Sequence, residues 1–171
     1  MIRSLTFIQL FVVLAVGYLG GVVLFRSLPA ADFSALVRLY DPRAVAADGS
    51  PVIYQLLAIL SFYILAIGLS LSGKTRWLVM SIGAFKSVLF GLSSAYILAN
   101  GMKMLAYASW WFPFQLLSTF LVCICCWTLS PPFFVRQPKQ KTAALRLPVI
   151  LAAAGLLVFL ADKAVFRLVG G

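Results

Sequence analysis

The chain has 171 residues, 63% of them hydrophobic and 11% charged, with a net charge of +10 and no histidine. At a mean hydropathy of +1.05 there is too little polar material to coat a soluble domain of this length, so a bilayer is the expected solvent. Lys and Arg lie between apolar spans rather than on one face or arm, which excludes a nucleic-acid reading, and the missing imidazole removes Ser–His and Cys–His catalysis, HExxH zinc sites and haem ligation by histidine.

The expected fold is an all-α membrane protein, a single transmembrane domain with about five transmembrane helices plus a short extracytoplasmic amphipathic helix. At about 20 apolar residues per crossing, spans are predicted at 5–25, 51–71, 77–98, 105–129 and 147–166. The first is too long for the apolar core of a cleaved leader. Arg26 also directly precedes the small-residue run, Pro29-Ala30-Ala31, so the segment reads as a retained anchor. Its Gly17-x-x-x-Gly21 spacing makes a face for close helix approach.

In the loop after the first span, Phe33, Leu36, Val37 and Tyr40 follow the i, i+3, i+4, i+7 spacing of an amphipathic helix over 32–41. Asp32 is placed to cap its start and Asp41-Pro42 to stop it. Such a helix would lie in the outer interface with its apolar stripe down, or dock a partner protein.

The third span carries a lone charge, Lys86, among small residues recurring every fourth position: Gly83, Ser87, Gly91 and Ala95. Charge at bilayer depth costs roughly 2.5–3.5 kcal/mol on insertion scales, so Lys86 is expected to face protein or trapped water. The small residues let another backbone come close, either in intramolecular packing with the first helix or as an oligomer seam. Ser87 and Ser93 are expected to bond the preceding turn rather than form a Ser–Lys dyad.

The fourth span holds Ser109-Trp110-Trp111-Phe112-Pro113-Phe114-Gln115. Pro113 frees the Ser109 carbonyl and bends the helix, while Trp110 and Trp111 resemble an interfacial belt. Counted at 1.5 Å per residue, Gln115 and Lys86 reach similar depths, about 15 Å and about 13–14 Å from opposite faces. The Gln115 carbonyl is therefore the expected partner of the Lys86 ammonium, with Asp162 a second choice. Lys86 either pins helices together or coordinates an anionic substrate or headgroup.

Cys123, Cys125 and Cys126 share this span and read as small apolar packing, with acylation of Cys126 the alternative. The four acids are Asp32, Asp41, Asp48 and Asp162. None falls between Pro51 and Leu129, so the paired intramembrane aspartates of an aspartyl protease are not expected. Asp162 and Lys163 interrupt the far end of the fifth span. Neither a metal nor a cofactor is expected. Lys and Arg fall almost evenly on the two sides, but the acid-free basic segment 136–146 suits an anionic cytoplasmic leaflet. That places the amino terminus inside and the carboxyl terminus outside.

Phe85-Lys86-Ser87-Val88-Leu89-Phe90-Gly91-Leu92, the turn Asn100-Gly101-Met102-Lys103, and Pro113-Phe114-Gln115-Leu116 together resemble the stage II sporulation protein M family of bacterial membrane proteins. The family's amide after the proline is more often asparagine, so Gln115 is a departure. The resemblance implies a bacterial cell membrane location and a non-enzymatic scaffold role. Its partners would be peptidoglycan-degrading proteins, a lytic transglycosylase and an amidase/endopeptidase, acting outside the cell. The alternative is a small transporter or transporter subunit with a midplane anion site at Lys86, Gln115 and the Pro113 break.

Overall fold

The computed structural model describes residues 2–27, 30–44, 51–72, 75–130 and 146–169. Its elements are α1 (Ile2–Ser27), α2 (Ala30–Tyr40), α3 (Val52–Leu71), α4 (Val79–Ala99), α5 (Met104–Leu129) and α6 (Arg146–Val169), with 3₁₀ turns at Pro42–Ala44 and Arg76–Leu78. All but α2 are long and apolar enough to cross a bilayer, so this is an all-α, multi-pass membrane protein. Trp77, expected to open the third span, sits in the 3₁₀ turn before it. Asp162 and Lys163 do not interrupt α6, which runs through both because Asp162 is turned inward and has partners there. The basic segment 136–145 and Asp48 lie outside the described residues.

Helix α4 is the axis on which α1, α2, α3 and α5 pack. Its 21 residues span about 31 Å at 1.5 Å per residue, one hydrocarbon thickness. Gly17 lies against Ala84 and Ser87, and Gly21 against Val88 and Leu92, so α1 and α4 run parallel. A methyl group at Gly21 would overlap the Val88 carbonyl, and one at Gly91 the Tyr18 carbonyl. The small-residue seam is thus occupied within the chain. Gly83 departs from the expected ladder: it faces Cys123 and Cys126 on α5. Ala95 is half-buried. Outside the seam, Phe11, Val16, Leu19 and Val23 of α1 are exposed, as a lipid-facing stripe would be.

Two local features differ from expectation. Pro113 is accommodated by a π turn, Tyr107–Trp111, in which the Phe112 N–H bonds the Tyr107 carbonyl. The extra residue in that turn shifts the helical register, and Trp110 and Trp111 are buried, at 6% and 1% exposure, instead of forming a belt.

Helix α2 does not lie along an interface. Val37 is fully buried and Tyr40 nearly so, and the Tyr40 hydroxyl is 2.9 Å from Thr119 Oγ1. Thr119 lies on the order of 20 Å along α5 from Met104 at helical rise. Ser27, which leads into α2, follows Gly21 by less than two turns and so stands near the Ala99 end of α4. The helix therefore starts near the face bearing the Asn100–Lys103 turn and descends into the bundle, a re-entrant half-helix. Its stripe of Leu36, Val37 and Tyr40 is covered by the protein's own core, which offers more apolar contact than a headgroup region. The side chains of Phe33 and Asp32 lie outside the described residues. As expected, the helix stops before Asp41-Pro42.

Candidate functional site

The residues after α2 form an ionic cluster in which Asp41 and Asp162 are buried and Arg43 is partly buried. Asp41 is held by Arg43 through two side-chain bonds, Nε to Oδ1 at 2.9 Å and Nη2 to Oδ2 at 3.1 Å. The Arg43 backbone N–H adds a third, to Oδ1, at 3.1 Å. This is the bidentate pairing for which a guanidinium is suited. Its remaining nitrogen, Nη1, is 2.8 Å from Asp162 Oδ2 on α6.

The π turn of α5 supplies donors to both carboxylates: Trp110 Nε1 to Asp162 Oδ1 at 2.6 Å and Trp111 Nε1 to Asp41 Oδ2 at 3.0 Å. One turn further, Gln115 Nε2 stands 3.4 Å from Asp41 Oδ2. The Trp110 ring also lies 5.4 Å from the Arg43 guanidinium carbon, within cation–π range. Burial works against the Arg43 charge, and the two aspartates beside it offset that cost. The cluster joins α2, α5 and α6 at one point.

Several sequence expectations change here. Gln115 does not partner Lys86: its amide nitrogen points at Asp41, because the re-entrant turn brings a carboxylate to it first. Asp162 likewise goes to Arg43 and Trp110. Two aspartates do meet at membrane depth, contrary to expectation, yet Arg43 stands between them, so they are not a proton-sharing dyad of the protease kind. Asp41, Arg43 and the two tryptophans are not legible as a site from the sequence, because an outer loop and an interfacial belt call for the same residue types. The one available signal was charge balance: a buried Lys86 in so acid-poor a chain makes every nearby acid a candidate for the interior.

Lys86 is buried, at 2% exposure, as expected. Its ammonium lies 4.4 Å from the Phe62 ring centre and 5.3 Å from that of Tyr40. Tyr40 is the last residue of α2, so its ring brings the end of that helix to the Lys86 compartment.

Ser87 Oγ donates to the Gly83 carbonyl at 2.9 Å, the back-bond expected of a membrane-helix serine, and its hydroxyl is 3.6 Å from Cys123 Sγ. Pro113 is exposed and touches neither Lys86 nor the cluster by any bond described. Cys123, Cys125 and Cys126 are free thiols and fully buried, so they pack as small apolar groups, and Cys126 is not presented for acylation. Among the described residues, no group of three or more His, Cys, Asp or Glu side chains is placed to hold a metal ion.

On the far side of Phe90, Tyr18, Ser94 and Tyr107 join hydroxyls across α1, α4 and α5, with Tyr18 Oη 2.8 Å from Ser94 Oγ. No protein-family model, no curated protein and no solved structure matches this chain.

Proposed function

We propose that this protein is a non-enzymatic membrane scaffold that positions peptidoglycan-remodelling partners outside a bacterial cell, as its resemblance to the stage II sporulation protein M family implies. The observation that carries this reading is the Asp41–Arg43–Asp162 bridge. Here the buried ionisable groups bond one another and tie three helices together, which is how a rigid platform uses intramembrane charge. A catalytic site would instead aim such groups at a substrate. In this reading the face bearing the Asn100–Lys103 turn is extracytoplasmic, and its loops meet the partners.

Affinity purification from native membranes tests the proposal. Wall-degrading enzymes should co-purify, and Lys86→Met and Gln115→Leu should leave their recovery unchanged. Recovery of a transport ATPase in their place would overturn it.

The second reading is a small transporter or transporter subunit with an anionic ligand at Lys86. One observation favours it: a half-helix ends at mid-bilayer depth beside a buried cation and a π turn, the kind of broken element that lines substrate sites. Tyr63 Oη, Ser93 Oγ and Ser118 Oγ are also buried without a hydrogen-bond partner among the described residues. Lys86 and Gln115 would not act jointly there, since Gln115 is engaged by Asp41. Loss of uptake or ligand protection in Lys86→Met, with the protein still folded, would select this reading.

A further inference from the structure

Arg38 stands on the face of α2 opposite its buried stripe. Ala35, Arg38 and Leu39 are exposed there, while Val37 and Tyr40 are buried. Because α2 is re-entrant, this face looks outward from the bundle at a depth where surrounding lipid is expected. The Arg38 backbone lies about 12 Å along the helix from Ala30 at 1.5 Å per residue. No acidic side chain among the described residues pairs with it, in contrast to Arg43 nearby.

An unpaired guanidinium in hydrocarbon is costly. Two physical facts indicate how this one is relieved. A helical side chain leans toward the helix amino terminus, and the amino terminus of α2 is at the membrane face, so Arg38 is aimed to snorkel outward along its own helix. At the end of that reach the abundant anion is a lipid phosphate, which the planar guanidinium fork can grip with two bonds.

We propose that Arg38 binds the phosphate of a membrane phospholipid drawn in beside α2, on the face bearing the Asn100–Lys103 turn. The inference holds whether the protein is a scaffold or a transporter, since it uses neither Lys86 nor the ionic cluster. It implies that one lipid is a fixed part of the structure, sealing the open side of the half-helix.

The test is native mass spectrometry of the detergent-purified protein titrated with phosphatidylglycerol, with inorganic phosphate as a competitor. Wild type should retain a lipid that inorganic phosphate does not displace, and Arg38→Gln should bind it at least about tenfold more weakly, the loss of one charge-assisted contact. Arg38→Lys should fall between, keeping charge without the fork. Because Arg38 is exposed, the variants should keep the wild-type melting temperature in lipid-free detergent. Equal lipid retention in Arg38→Gln would overturn the proposal, and so would displacement by inorganic phosphate, which would indicate a free-anion site.

Discussion

The cluster around Arg43 and the compartment around Lys86 bury charge by different means. In the first, a guanidinium is locked between two carboxylates whose other lone pairs take indole N–H bonds. In the second, an ammonium rests against the Phe62 and Tyr40 rings. The first tolerates no single change well, because removing one member strands the others in low dielectric. The second has no carboxylate bonded to it, so deleting the cation leaves no orphaned partner. A buried charge is therefore a poor measure of its own importance, and what it would leave behind when removed is the better one.

That contrast is open to direct attack. Arg43→Met should be the most damaging change, costing about 3–5 kcal/mol because Asp41 and Asp162 are left facing each other. Adding Asp162→Asn should recover part of the loss, read as unfolding in a fixed detergent mixture. Gly91→Ala should cost about 1–3 kcal/mol, since the new methyl group meets the Tyr18 carbonyl, a backbone atom that cannot turn aside. The matched control is Gly20→Ala, which meets nothing within 4 Å and should stay within about 0.5 kcal/mol of wild type.

Tyr40→Phe removes the hydroxyl contact to Thr119 and should cost about 0.5–1.5 kcal/mol. Lys86→Met should be the mildest of the changes at buried positions, within about 1 kcal/mol of wild type, because relief of desolvation offsets the lost cation–π attraction. A loss from Lys86→Met as large as that from Arg43→Met would erase the distinction between the two regions.

The spans were legible because bilayer thickness imposes a length and an apolar content that composition alone reveals. The Gly17/Gly21 face was legible for a similar reason: close backbone approach admits few residue types. The site was not. Periodicity identified the stripe Leu36, Val37 and Tyr40 but gives no information about what covers it, and an interface and a protein core ask for the same residues.

An interfacial α2 would carry Asp41 and Arg43 to the surface with it and leave Gln115 as the nearest oxygen for Lys86. Depth counting put Gln115 and Lys86 at comparable heights, yet height does not fix the direction a side chain faces around its helix. The π turn before Pro113 sets that direction for Trp110 and Trp111, and nothing in a proline motif distinguishes a π turn from a simple kink.

The central claim is that α2 descends into the membrane and ends on the ionic cluster. Its most direct test is a spin label at Leu39→Cys in reconstituted bilayers, with accessibility to oxygen compared against a water-soluble nickel chelate. Cys123, Cys125 and Cys126 are buried and should not take up label. The label should be reached by oxygen and shielded from the chelate, at a depth on the order of 10 Å or more below the headgroups given the helical rise from Ala30. A label freely quenched by the chelate would put α2 on the surface and contradict the account.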